Sequence, residues 1–242
     1  MTVKPYAPEG SKREQVEQMF DRISPRYDLL NRVLSLGIDQ CWRRRVVRHL
    51  GRDKVRHLLD VATGTGDLAI MAARKLPGTH VTGIDISEGM LEHGRKKVTA
   101  AGLDGRVHLQ RADSAALPFP DDHFDAITAA FGVRNFEDLA QGIREMHRVL
   151  KPGGRLFVLE FSKPTKFPMK QLFRFYFHRV MPFIGKLVSK DHAAYTYLPK
   201  SVDAFPEGQD FLDVLHRSGL RDGEARPLTG GIATLYTATK PR

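Results

Sequence analysis

The chain has 242 residues, 41% of them apolar and 27% charged, with ten more positive than negative side chains; that profile excludes a disordered or collagen-like protein and fits one soluble globular unit. Its one cysteine, Cys41, excludes an intramolecular disulfide and a zinc site built on several thiolates. No apolar run approaches a membrane span and the first twelve residues lack the apolar core of a signal peptide, so a cytoplasmic protein is expected.

Ser11-Lys12-Arg13-Glu14 fits a capping box, and Val16, Met19, Phe20 and Ile23 follow at helical spacing until Pro25. A second helix is expected from Tyr27 to Leu36, ended by Gly37. A third, capped by Asp39, carries Trp42, Val46 and Leu50 on one face and Arg43, Arg44, Arg45 and Arg48 on others. From Val55 short apolar runs alternate with helical stretches, the pattern of βαβ units on a parallel sheet. The runs are Val55 to Val61, His80 to Ile84, Val107 to Gln110, Phe124 to Ala130 and Arg155 to Phe161. Helices are expected at Leu68 to Leu76, Glu88 to Ala101 and Glu137 to Leu150, the last stopped by a Lys151-Pro152-Gly153-Gly154 turn. A basic aromatic stretch, a helix near Glu207 to Ser218 and a final strand, Ile232 to Thr239, complete an α/β domain. Its parts are N-terminal helices (1–54), a core (55–161), an insertion (162–206) and a C-terminal helix with strands (207–242).

The first strand runs into Asp60-Val61-Ala62-Thr63-Gly64-Thr65-Gly66-Asp67, a glycine-rich turn at the carboxyl edge of the sheet, where open α/β folds bind ligands. Gly64-x-Gly66-x-x-Ala69 also satisfies the dinucleotide fingerprint. A pyrophosphate there would sit beside Asp67, whereas a cationic ligand would gain from Asp60 and Asp67, which favours S-adenosylmethionine over a nicotinamide cofactor. Asp85 ends the second strand, where a carboxylate can accept both ribose hydroxyls of either cofactor. Asp113 and Ser114 end the third, where a carboxylate can take an adenine amino group. His93, His123 and His147 have no acid partner at telling spacing and read as solvated, and no metal-ligand cluster is expected.

Five motifs carry a resemblance beyond fold: Asp60-x-Ala62-Thr63-Gly64-Thr65-Gly66-Asp67, Asp85-Ile86-Ser87-x-x-Met90-Leu91, Ala112-Asp113-Ser114-Ala115-x-Leu117-Pro118-Phe119, Phe131-Gly132-x-Arg134-Asn135 and Leu150-Lys151-Pro152-Gly153-Gly154. With Tyr27-Asp28-x-x-Asn31 and Glu160-Phe161-Ser162-x-Pro164, the chain resembles the ubiquinone/menaquinone biosynthesis C-methyltransferase family over nearly its whole length. It departs from some members at Ala130, where they have serine, and at Thr63, where they have glycine or cysteine. The resemblance implies a Rossmann-like class I methyltransferase with a mostly parallel seven-stranded sheet, and methyl transfer from S-adenosylmethionine to a ring carbon of a polyprenylated hydroquinone. The segment Tyr-Ala-Pro-Glu-Gly-Ser-Lys-Arg-Glu near the start looks more like the menaquinone branch; the benzoquinol step of ubiquinone synthesis is the alternative. The cofactor residues implied are Asp60, Thr63, Gly64, Thr65, Gly66, Asp85, Ile86, Asp113, Ser114 and Ala130. A phenol with a pKa of about 10 needs help to ionise: Arg134 is the expected cation for its oxygen, Asn135 and Tyr27 orient the ring, and Asp67 accepts a proton.

Between Phe161 and Lys190 stand seven basic residues and no acid. Met169, Leu172, Phe173, Tyr176, Phe177 and Val180 form an apolar face there, suited to an anionic membrane surface, a lid over an isoprenoid tail, or packing on the sheet edge. A homodimer is compatible with the reading. An RNA methyltransferase is the main rival, yet Cys41 lies away from every strand end and Phe131-Gly132-Val133-Arg134 stands where an amino-methylating enzyme holds its base, so no nucleic-acid partner is expected.

Overall fold

The computed structural model describes residues 3–7, 9–180 and 192–242. Three helices come first: α1 (Lys12–Ile23), α2 (Tyr27–Leu34) and α3 (Ile38–Leu50), with a 3-10 turn at Ser24–Arg26 joining the first two. Ser11 Oγ accepts from the Glu14 N–H and so caps α1, but among the described residues the Ser11 N–H does not donate back to the Glu14 carboxylate, so the capping box is only half made. Asp39 does not cap α3. That role falls to Gly37 in a left-handed conformation (φ 75°), and Asp39 is buried in the first turn with Ser35 and Arg43. Helix α2 stops two residues before Leu36, which itself has a φ of 52°.

The alternating segment forms β1 (His57–Val61), α4 (Asp67–Lys75), β2 (His80–Asp85), α5 (Glu88–Ala100), β3 (Val107–Arg111), β4 (Phe124–Ala130), α6 (Leu139–Val149) and β5 (Leu150–Phe161). Asp138 caps α6 through the Gln141 N–H, so the helix begins two residues after the expected Glu137. The expected Lys-Pro-Gly-Gly turn is instead the first part of β5. Its pairing with β4 jumps from Phe124↔Leu150 to Ala126↔Arg155, and the displaced backbone is satisfied by Gly153 N–H to Lys240 O (2.8 Å) and Lys240 N–H to Gly154 O (3.0 Å), a bulge rather than a break. After β5 come α7 (Met169–Phe175), running into a π turn at Tyr176–Val180, then α8 (His192–Ala204), α9 (Gln209–Arg217), β6 (Arg221–Leu228) and β7 (Ala233–Thr239).

The strands form one seven-stranded sheet in the order β3-β2-β1-β4-β5-β7-β6, parallel from β3 to β5 and antiparallel through β7 and β6. Strand order reverses between β1 and β4, so a crevice opens at their carboxyl ends. Arg221–Leu228 was not legible as a strand. It is a polar, largely exposed edge strand that, among the described residues, pairs with β7 alone, and such a strand needs no apolar alternation. One face of the sheet packs on α3, α4 and α5, burying Trp42, Leu50, Leu68 and Leu91; the other packs on α6 and α9, burying Ile143, Met146, Phe211 and Leu215. A third cluster joins α1, α2 and α8 through Val16, Met19, Leu30, Tyr197 and Val202, and so roofs the crevice.

Candidate active site

The crevice at the ends of β1 and β2 is a cavity of about 250 Å³. Its rim requires unusual backbone: Ala62 after β1 and Phe131 after β4 both have positive φ (53° and 62°), and a Cβ on Gly132 would lie 2.4 Å from Ala62 Cβ. Asp85 sits on the cavity wall with Oδ2 accepting from the Gly64 N–H (2.8 Å) and Oδ1 from the Ser87 N–H (3.0 Å). Burial pushes its carboxyl up to about 6, against the pull of those backbone donors. Gly64, Ile86, Asp113, Ser114 and Ala130 line the same wall, as the sequence implied. Asp113 is already engaged: Oδ1 accepts from the Ala115 N–H and Oδ2 pairs with Arg13 at 2.8 Å.

Five residues expected at this site lie behind it. Asp60 is buried under the loop, accepting from Thr63 Oγ (2.6 Å) and Thr128 Oγ (2.6 Å), so Asp60 and Thr63 brace the turn from below. Thr65 donates to Asp28 (2.5 Å) on the far side of the loop, and the left-handed Gly66 caps α4 against Leu109. Asp67 pairs with Lys97 at 2.5 Å. Burial raises its carboxyl, but the charges of Lys97 and Arg43 outweigh this and hold it below the usual range. Asp67 lines neither this cavity nor its neighbour, so the geometry supports neither a proton-accepting role nor a direct attraction for a cationic ligand.

A second, larger cavity of about 400 Å³ adjoins the first. Phe20, Tyr27, Phe131 and Asn135 line both and form the neck between them. Beyond the neck the walls are mostly apolar, from α1, α2, α3, α7 and α8. Three buried polar atoms have no hydrogen-bond partner among the described residues: Arg134 Nε, Asn135 Oδ1 and Tyr197 Oη. All three residues line this cavity. Arg134 is not a free cation, because its Nη1 is held by Glu160 Oε1 (2.8 Å) and by the Phe131 carbonyl, with Glu160 fully buried. Burial pushes the Tyr197 hydroxyl up to about 12, so it stays a donor at neutral pH.

A family model described as the ubiE/COQ5 methyltransferase family matches residues 9–240. A demethylmenaquinone methyltransferase of Bacteroides fragilis is 52% identical over 238 residues, 98% of this chain and 97% of its own. The ubiquinone/menaquinone biosynthesis C-methyltransferase UbiE of Geotalea daltonii is 49% identical over 95% of this chain and 97% of its own. The chain belongs to the ubiE/COQ5 methyltransferase family. Among solved structures, the [4+2]-cyclase SpnF superposes with a TM-score of 0.66 at 21% identity (97% of this chain, 98% of that one), and an S-adenosyl-L-methionine-dependent methyltransferase of Methanococcus maripaludis with 0.65 at 19% (92% and 94%). These establish the fold.

In this methyltransferase α1 is the roof of the smaller cavity and is fastened by polar contacts along its length. Ser11 Oγ and the Lys12 N–H donate to Glu137, Lys12 Nζ donates to the carbonyls of Arg134 (3.0 Å) and Phe136 (2.8 Å), and Asp21 accepts from Ser87 Oγ (2.6 Å) and the Gly89 N–H. Sequence reasoning missed Arg13, Glu160 and Tyr197. Glu160 had a signal, an acid ending an apolar strand and therefore in need of a buried partner; Tyr197 had none. Among the described residues no group of three His, Cys, Asp or Glu side chains is placed to hold a metal.

Proposed function

We propose that this methyltransferase moves the methyl group of S-adenosylmethionine to a ring carbon of a polyprenylated hydroquinone, converting a demethylated naphthoquinol to menaquinol. The observation that carries the reading is the pair of cavities meeting at Phe20, Tyr27, Phe131 and Asn135, the more polar one at the carboxyl edge of the sheet and the other mostly apolar with three orphaned polar atoms. A mostly apolar chamber suits an isoprenoid tail, and orphaned buried donors and acceptors suit a ring bearing hydroxyls.

The smaller cavity fits the cofactor. Asp85 would hold the ribose hydroxyls, the backbone at Ile86 and Ser114 the adenine, and the open backbone at Gly64 admits a ligand close to the main chain. When bound there, S-adenosylmethionine supplies an electrophilic methyl group. The chain's own part is to make the ring carbon a nucleophile. Arg134, oriented by Glu160, has an unpaired Nε–H donor that favours the ionised hydroxyl, while Tyr197 Oη can donate to a ring oxygen and Asn135 Oδ1 can accept from a hydroxyl that keeps its proton.

Among the described residues, the exposed large apolar side chains Leu29, Val33, Leu36, Phe167, Leu172 and Phe175 fall in two segments, on and after α2 and on or just before α7. Leu36, Leu172 and Phe175 also line the large cavity, so these segments form its mouth, and Lys163, Lys166, Lys170 and Arg174 lie beside them. This supports α7 as a lid whose outer side rests on an anionic membrane surface, from which the tail enters. Lys186 and Lys190 lie outside the described residues, as does the side chain of Phe177. Among the described residues no helix is long and apolar enough to cross a membrane. Heat stability tests the cofactor half: S-adenosylmethionine should raise the melting temperature and NADH should not. Equal protection by NADH would favour an oxidoreductase.

A further inference from the structure

The large cavity holds a second guanidinium to which the reaction described above gives no part. Arg43, on α3, is only 8% exposed and lines the cavity with Trp42. Its ion pair with Asp39 is long, 3.5 Å through Nε, because Asp39 already accepts from Ser35 Oγ (2.8 Å) and Gln40 Nε2 (3.1 Å). Neither Nη nitrogen has a hydrogen-bond partner among the described residues. That leaves four N–H donors on a cavity-lining guanidinium with no protein acceptor, in a planar fork that a ligand oxygen can fill.

Arg43 also shares an aromatic wall with Arg134. Its guanidinium lies 5.4 Å from the Phe131 ring centre, Phe131 packs on Phe161 at 4.7 Å, and the Arg134 guanidinium lies 5.5 Å from the Phe161 ring. Both cations act on the Tyr27 hydroxyl at the neck. A substrate with one phenolic oxygen would use one of these cations and strand the other. A 1,4-dihydroxy ring presents oxygens on opposite edges and can meet both.

We propose that Arg43 binds the second ring oxygen of the hydroquinone, donating from its Nη nitrogens to the oxygen that Arg134 does not hold. This rests on the hydroquinone reading above. It makes the chamber selective for para-dioxygenated rings over simple phenols, with Asp39 orienting the guanidinium.

Trp42 is the only tryptophan and lines the same chamber, so its fluorescence reports occupancy directly. The probes are a short-tailed demethylated naphthoquinol, kept reduced, and its two analogues lacking one or the other ring hydroxyl, titrated with S-adenosylhomocysteine present. In the wild type the diol should bind at least tenfold tighter than either analogue. Arg43→Met should weaken the diol about tenfold or more and one analogue by a similar factor, yet leave unchanged the analogue that lacks the oxygen Arg43 holds. S-adenosylmethionine affinity should stay within twofold. If Arg43→Met does not fold, Arg43→Lys, which keeps the charge and loses the planar fork, carries the same comparison with a smaller factor. Equal weakening of all three ligands, or of none, overturns the Arg43 assignment while the hydroquinone reading stands. A wild type that does not bind the diol overturns that reading, and the assignment with it.

Discussion

Asp85 links the cofactor cleft to stability with a sign that is open to measurement. Its carboxyl is raised by burial from 3.8 to about 6, while the unfolded chain keeps the lower value. The native state therefore binds this proton more tightly than the unfolded state, so the stabilising contribution is complete below pH 4 and is lost as pH rises through 6. The full span is about 3 kcal/mol at 1.36 kcal/mol per pKa unit, of which about 1.4 kcal/mol falls between pH 5 and pH 8. Asp85→Asn cannot titrate. Its amide oxygen can serve only one of the Gly64 and Ser87 N–H groups, a loss of about 1 kcal/mol that does not change with pH. Urea unfolding of both proteins without cofactor, at pH 5 and pH 8, isolates the titration: the variant should gain about 1.4 kcal/mol relative to the wild type on going to pH 8. Saturating S-adenosylmethionine should reverse the trend in the wild type, because the ribose hydroxyls favour the ionised carboxylate, and should not protect the variant. A stability difference that is the same at both pH values would show that Asp85 does not carry a raised pKa.

Glu160→Gln should cost about 3 kcal/mol in urea unfolding, because it strands the Arg134 guanidinium in a buried site; a loss under 1 kcal/mol would mean the pair is not buried as described. Arg134→Ala should lower turnover about 100- to 1,000-fold with S-adenosylmethionine affinity within twofold, and raising the pH should partly restore it; proportional loss of cofactor affinity in calorimetry would move Arg134 to the cofactor side. Tyr197→Phe removes an orphaned hydroxyl, so the protein should be equally or more stable by thermal melting while KM for the quinol rises several-fold; an unchanged KM would take Tyr197 out of the site. Leu172→Asp with Phe175→Asp should lower co-sedimentation with anionic vesicles, which should itself weaken as salt rises; equal binding to neutral vesicles would leave α7 as a lid alone.

The βαβ core was legible because its signal is local: apolar runs of strand length separated by helical stretches, with each loop acid placed by the strand it ends. Asp85, Asp113 and Ser114 lie at the cavity for that reason. Asp67 and Thr65 have the same local credentials and face the other way, because Lys97 on α5 and Asp28 on α2 supply partners that only the folded chain brings near. Arg134 was correctly placed in the loop after β4, but its partner Glu160 is 26 residues on, and adjacency of β4 and β5 is a property of the sheet. The Lys-Pro-Gly-Gly segment has the composition of a turn; the bulge that absorbs it depends on Lys240 from the chain's far end. Arg43 looked like one of four arginines on solvated helix faces. Only the packing of α3 under Phe131 distinguishes it from Arg44, Arg45 and Arg48.

Methyl transfer itself tests the central claim most directly. Purified protein with methyl-labelled S-adenosylmethionine would be offered, in separate anaerobic reactions, a reduced short-tailed demethylated naphthoquinol, a reduced demethylated benzoquinol and RNA, with the product identified by mass spectrometry. Label should appear on the unsubstituted ring carbon of the naphthoquinol, faster than on the benzoquinol and not on RNA. Label on RNA, or no label on either reduced quinol, would contradict the assignment of the large cavity to a hydroquinone.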